Sequence, residues 1–477
     1  MPTETVQSTA EPTAGNVRRP NVLLLHCHDL GRHLNVYGAK TVSSPRLDAF
    51  AADAVIADQM YATAPQCSPS RAGLFTGRWP HHNGVLGLTH DIFGWDLHAD
   101  EQHLAARLRR AGYRTELVGQ HHESRRLADD QVAARLGFDR VQAEGLGEVV
   151  VERTTDALRR LAAADEPFYL QAGFSEPHRR PGERDAPGVM GFIGNHLQPD
   201  DSRGVEVPGY LADTESAREE IAELQGAIKF MDDCAGRVLD ELDRLGLAEN
   251  TITIFTTDHG LALPRAKCSL YDPGLEVAFM IRWPAAGWTG GVHLEPLLLN
   301  LDVTPTLLVA LGLEQDGPAG APAIDGRSFL PLLPGEQPDG EASGQATRGE
   351  VFGELTYHDY YDPKRSVRTQ RHKLIVNFTA APKFMDPSQS WVRRCIPVHA
   401  PNGNIGHDPI VELYDLAEDP YELRNRADDP ALAEVRADLL ARLGSWMAAT
   451  DDPLLAGAVT SPAHRFAVAE LQPATAP

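Results

Sequence analysis

The sequence is poor in the features that would make it a disulfide scaffold, a membrane protein or a nucleic-acid binder. Its 477 residues hold only five cysteines, Cys27, Cys67, Cys234, Cys268 and Cys395. They are odd in number and scattered, without CxxC or Cys/His-finger spacing, so neither a disulfide framework nor a structural zinc site is expected. No apolar run approaches the roughly 20 residues that a bilayer-spanning helix needs. Basic residues are the scarce charge: 44 Lys and Arg face 67 Asp and Glu, a formal charge of −23. That balance argues against nonspecific binding to nucleic acid or an anionic membrane, since both need basic patches. It leaves an anionic substrate open, because a few cations in a cleft suffice. Residues 1–19 lack an apolar h-region and read as a disordered tail rather than a signal peptide, which makes a soluble cytoplasmic protein the default.

What is present is an alternation of strands and helices. Asn21 to Leu25 is a continuous apolar run, as a buried parallel strand would be, and it ends in His28-Asp29. Thr115–Gly119 is followed by Gln120-His121-His122, Pro167–Phe174 by Glu176-Pro177-His178, and Thr251–Thr257 by Asp258-His259. Polar groups therefore collect at four strand ends, where open α/β sheets place their ligands. Helices are expected from about 149 to 163, from 215 to 245 and from 431 to 448. The pattern predicts an α/β fold: a large, mostly parallel sheet sandwiched by helices. A composition shift from about 316 to 347 marks a connection to a smaller C-terminal α+β subdomain with an antiparallel sheet. The expected boundaries are a catalytic domain over 20–345, the subdomain over 346–455 and a tail over 456–477. The stretch from 181 to 214, rich in Pro, Gly and Asp, reads as one long loop.

The chemistry is concentrated at Cys67-Ser68-Pro69-Ser70-Arg71, continuing through Leu74 to Thr76-Gly77. This reads as a loop entering a helix, with Pro69 at the first helical position and open amides that favour an anion. Positions i and i+4 share a helical face, so Arg71 is expected beneath Cys67, directed at the same ligand.

The pattern C-x-P-S-R-x-x-L-x-T-G resembles the signature of type I (formylglycine) sulfatases, members of the alkaline-phosphatase superfamily. The resemblance extends over nearly the whole chain. Asn21 to Gly31, Pro80-His81-His82-Asn83-Gly84, Gly87-Leu88 with Asp91, Glu176 to Arg179, Thr257 to Gly260, Asp302 to Thr306 and Glu412 to Leu416 are most similar to the N-sulfoglucosamine sulfohydrolase (heparan N-sulfatase) branch. It implies that Cys67 is converted to formylglycine, whose hydrate attacks sulfur, by a separate formylglycine-generating enzyme. It also implies that Arg71 holds that hydrate, that His122 is the base which releases sulfate, that His178 protonates the leaving group, and that Lys267 binds sulfate. Asp29 and Asp258, with Cys67, would hold one divalent metal ion, calcium by family expectation.

Three positions depart from the family pattern. His28 and His259 stand where carboxylate and amide oxygens are usual, and imidazole suits Mn, Fe or Zn better than calcium. Gln120 replaces a lysine of the sulfate clamp. These changes keep a second reading open, a phosphonate monoester hydrolase or phosphodiesterase of the same superfamily, with an inactive homologue that binds sulfated glycans as a third. The expected substrate is a small sulfated or sulfamated molecule, with a sugar one candidate; His90-Asp91 and His358 could line the mouth of the site beside Gln120. A homodimer is left open.

Overall fold

The first strand shows why a parallel sheet forms. Asn21–Cys27 (β1) is buried along its whole length, and its side chains alternate between two cores. Leu23 and Leu25 join one core cluster with Leu170 and Phe255, while Val22 and Leu24 join the other with Tyr169, Ile252 and Ile254. Such a strand needs cover on both faces, and helices supply it.

The computed structural model describes residues 19–90, 92–182, 189–192, 197–315, 317–336, 346–382, 395–398 and 406–471. Its main sheet has eight strands. From one edge they are β11 (Val292–Leu294), β2 (Val55–Ala57), β10 (Phe279–Arg282), β9 (Thr251–Thr257), β1, β6 (Phe168–Gly173), β4 (Arg114–Gly119) and β5 (Arg140–Ala143). From β9 to β5 all neighbours are parallel; β10 runs antiparallel to both β9 and β2. The sheet is thus mostly parallel, as expected. β9, β1, β6 and β4, the strands whose carboxyl ends carry the four polar clusters, are consecutive in it. Short pairs join β3 (Met60–Tyr61) to β12 (Leu298–Leu299) and β7 (Arg180–Gly182) to β8 (Val189–Gly191).

Helix Glu215–Arg244 buries Ile221, Leu224, Ile228, Met231, Val238 and Leu242, and packs beside helices Gly147–Ala162 and Pro45–Ala51. A second sheet is antiparallel throughout, in chain order: β13 (Glu350–Tyr357), β14 (Tyr361–Thr369), β15 (His372–Asn377) and β16 (Val411–Asp415). Helix Ala433–Ala449 covers it through Leu439, Leu443, Trp446 and Met447. A buried charge cluster ties the second sheet to the short helix Asp272–Leu275 that follows β9. Asp272 lies 2.5 Å from Lys373 and 3.2 Å from Arg368, and Glu422 lies 3.2 Å from Lys373. No helix among the described residues is long and apolar enough to cross a membrane.

Three local expectations are corrected. The stretch expected as a loop from 181 to 214 contains the β7–β8 ribbon, because backbone pairing alone can hold two short strands whose Pro and Gly content signals a turn. The tail over 456–477 carries helix Pro462–Leu471, started by Ser461, whose hydroxyl accepts the His464 N–H, with proline at the first position. Pro69 is not at the first helical position: helix Cys67–Thr76 begins at Cys67, with Gln66 as its cap. Proline is tolerated there because the first-turn N–H groups have no intrahelical acceptor. The N-terminal tail (residues 1–18) and Asp91 lie outside the described residues, as do 316 and 337–345 of the expected connection and 472–477 of the C-terminal tail.

Candidate active site

Helix Cys67–Thr76 is buried at every residue, which its low polarity permits except at Arg71. Close packing fixes it: a Cβ on Gly73 would come within 2.6 Å of Thr63 Oγ1. Asn300 Nδ2 donates to Ser70 O at 3.1 Å and to Ser70 Oγ at 2.9 Å. Arg71 shares a face with Cys67, but its guanidinium is engaged below the thiol rather than free toward a ligand. Nε and Nη2 lie 3.2 and 3.1 Å from Asp258 Oδ2, Nη1 lies 2.7 Å from His26 Nδ1, and Nη2 donates to Cys27 O at 3.2 Å.

Asp29 and Asp258 are buried carboxylates at the ends of β1 and β9. Asp29 has φ of 54°, a left-handed conformation that costs a residue with a Cβ free energy and is retained at functional sites. Its N–H donates to Asp258 Oδ1 at 3.0 Å, as does the His259 N–H at 2.9 Å. Lys267 Nζ grips both oxygens of Asp29 at 3.1 and 3.0 Å. Burial works against ionisation of both carboxyls. Lys267, His178 and His259 outweigh it at Asp29, and His259, Arg71 and His28 outweigh it at Asp258, so both stay below the usual carboxylate range.

The histidines close the group. His259 Nε2 is 3.1 Å from Asp29 Oδ1 and 3.4 Å from Cys67 Sγ, while its Nδ1 faces Gly260 O at 2.9 Å. Burial lowers the His259 pKa, but Asp258, Cys67 and Asp29 together push it up to about 10. His28 Nδ1 sits 3.0 Å from Asp258 Oδ2, yet both its ring nitrogens are buried without a hydrogen-bond partner of good geometry. His178 Nδ1 lies 2.6 Å from Arg179 O, turning Nε2 toward Lys267 at 3.4 Å and Asp29 at 3.6 Å. The ring nitrogens of His122 are buried, and burial drives it down to about 3 despite the opposing influence of Cys67. Burial would push the Cys67 thiol up, but Lys267, His259 and hydrogen bonds to His122 and His178 bring it well below the ordinary range.

The donor set can take a cation. Potential ligand atoms of His28, Asp29, Cys67 and His178 lie within 4.8 Å of one another, as do those of Asp29, Cys67, Asp258 and His259. The buried imidazole of His28 and the two buried carboxylates fit a divalent ion, and the proton on His259 is what such an ion would displace. Among the residues expected at the mouth, His90 stacks edge-on against His122 with ring centroids 4.4 Å apart, and His358 binds Asp359 at 2.7 Å. Burial lowers the His90 pKa, with Cys67 acting against it and Arg126, His358 and His178 adding to it. Gln120 turns its amide to His121 O at 3.1 Å and carries no charge into the site.

Four buried residues that the sequence did not single out stand behind these groups: His26, His103, Glu123 and Gln171. His26 hides inside an apolar strand, and Glu123 reads as a loop carboxylate; only the three-dimensional packing brings them together.

Residues 20–313 match the family model described as Sulfatase, which covers well over half of the chain. The chain is 29% identical over 474 residues to the N-sulphoglucosamine sulphohydrolase of Homo sapiens, covering 91% of each protein. Among solved structures it resembles a 2-O GAG sulfatase with a TM-score of 0.67 at 22% identity, covering 93% of this chain and 95% of that one. The phosphonate monoester hydrolase of Agrobacterium radiobacter shares the fold at a TM-score of 0.63 and 22% identity, with 91% and 96% covered.

Proposed function

The chain belongs to the sulfatase family, and from that premise we propose that it hydrolyses a sulfate ester or sulfamate on a sulfated sugar, with a nucleophile made from Cys67. The observation that carries the proposal is the gathering of Cys67, Asp29, Lys267, Asp258, His122 and His178 at the ends of neighbouring strands within the matched region. Converted to formylglycine, position 67 supplies a hydrated aldehyde that attacks sulfur and can later expel sulfate. His28, Asp29, Asp258 and His259 would hold a divalent ion, which supplies positive charge to the sulfate oxygens and the nucleophile.

The chain's own residues do the rest. Lys267, beside Asp29, takes the charge on a sulfate oxygen. Arg71, held below position 67, orients Asp258 and keeps its charge balanced. His178 Nε2, on the open side with 31% of its side chain exposed, delivers a proton to the leaving oxygen or nitrogen. His122, neutral at working pH because burial lowers it so far, takes the proton whose removal releases sulfate. Two imidazoles with two nearby carboxylates favour Mn, Fe or Zn over calcium.

Asp258-His259 and the uncharged Gln120 favour one rival, phosphonate or phosphodiester hydrolysis. Turnover of nitrophenyl sulfate against bis-nitrophenyl phosphate, with metal analysis of the purified protein, separates the two. The sulfate should be cleaved faster, and the protein should hold a transition metal or zinc. Faster cleavage of the diester would overturn the sulfatase reading, and calcium at one equivalent would overturn the metal assignment.

A further inference from the structure

Glu123 is a fully buried carboxylate directly after His122, in a loop where an apolar residue would be cheaper. Its Oε2 accepts the backbone N–H of His122 at 2.8 Å. Oε1 accepts the side-chain amide of Gln171, on β6, at 3.3 Å and faces His103 Nε2 at 3.4 Å. His103 Nδ1 accepts the N–H of Ala105 at 3.1 Å, which leaves the ring proton on Nε2, pointed at Glu123. Two hydrogen bonds, from the His122 backbone N–H and the Gln171 amide, therefore meet on one carboxylate, and the His103 ring faces it at 3.4 Å.

The same contacts reach the other side of the site. Gln171 Nε2 lies 3.4 Å from His26 Nε2, but with His26 Nδ1 accepting from the Arg71 guanidinium at 2.7 Å the ring proton sits on Nε2, so Gln171 and His26 touch without a hydrogen bond. Phe75 fills the space between, 5.8 Å from the His26 ring and 5.1 Å from the His103 ring. The loop is held from outside as well, since Gln120 N–H donates to Gly173 O at 2.8 Å, and a Cβ on Gly173 would come within 2.2 Å of Gln120 O.

We propose that Glu123 is a positioning residue for His122: its carboxylate pins the backbone of the base to β6, through the Gln171 amide, and faces His103 on the other side. The inference rests on the reading of His122 as the base in sulfate release. It explains why a buried charge sits here: the His122 N–H and the Gln171 amide use different oxygens of the carboxylate, and a neutral amide side chain has an acceptor on one side only. Glutamine in its place would keep the volume and one acceptor but set its own N–H groups against His103 Nε2–H and the Gln171 amide.

The test compares the parent with Glu123→Gln and Glu123→Asp, the second keeping the charge while shortening its reach. Outer-shell partners of this kind change activity by roughly 10- to 100-fold. Both variants should lose about that much kcat on nitrophenyl sulfate with KM changed by less than about threefold. The His122 ring resonance, assigned in histidine-labelled protein through its loss in His122→Ala, should move in both variants while the other histidine resonances outside the network stay. Parent-like kcat together with an unmoved His122 resonance would overturn the proposal. So would loss of activity that tracks loss of folded protein in thermal unfolding, with the resonance unmoved in the folded fraction. If the parent itself cleaves no sulfate, the functional reading fails, while the resonance comparison still decides whether Glu123 positions His122.

Discussion

Replacing Asp258 with asparagine is expected to cost about 3–5 kcal/mol of stability, the range for breaking a buried ion pair on one side only. One carboxylate serves four partners here. Oδ1 accepts the N–H groups of Asp29 and His259, and Oδ2 meets Arg71 and His28. Asparagine preserves the oxygen that serves the backbone, but it turns an NH2 toward a guanidinium that is only 1% exposed and has lost its counter-charge. Urea unfolding of the metal-free proteins measures the difference; a change below about 1 kcal/mol would show that Arg71 does not depend on Asp258. The same carboxylates add to the acid sensitivity expected of the parent. Asp29 and Asp258 titrate below their unfolded value of about 3.9, so the unfolded chain takes up protons first as the pH falls. Their stabilisation is complete above about pH 4 to 5 and is lost as the pH drops further. Asp258→Asn should therefore unfold with a flatter acid dependence than the parent.

The second large effect concerns His178. Removing a positioned general acid typically costs about 10²- to 10⁴-fold, but only where the leaving group needs the proton. His178→Ala should thus fall by that range on a sugar O-sulfate or N-sulfate, whose leaving alkoxide or amide anion is very basic. On nitrophenyl sulfate, whose phenolate leaves unaided, the loss should be under about tenfold. A plot of kcat/KM against leaving-group pKa should be steeper for the variant than for the parent. Equal losses on all substrates would instead assign His178 to binding or metal ligation, in line with its 3.6 Å approach to Asp29.

Much of this architecture is legible in the chain because parallel sheets announce themselves. A strand buried on both faces must be apolar along its run, and its polar residues are pushed to its end. That logic found β1, β4, β6 and β9 and the clusters behind them, and the sheet sets the four strands side by side. It missed β2 and β10, which are only three and four residues long, too short for an apolar run to stand out. It took Pro69 for the first helical residue because proline is common there, whereas the helix starts two residues earlier. Arg71 was legible as a neighbour of Cys67 by its i+4 spacing, but its engagement with Asp258 and His26 depends on strands 180 residues and more apart in the chain from one another. Glu123 was invisible for the same reason: a carboxylate beside a loop histidine reads as solvated until Gln171 and His103 are seen to close over it. The roles given to Cys67, His122, His178 and Lys267 came from resemblance rather than from spacing, and they stand here as the proposal to be tested.

The most direct measurement is the mass of the tryptic peptide spanning residues 47–71, from protein whose nitrophenyl sulfate turnover has been recorded. Cys67 is expected to have exchanged its sulfur for an aldehyde oxygen, and turnover across preparations is expected to rise in proportion to the converted fraction. Full sulfate turnover from protein in which Cys67 remains a thiol would contradict this.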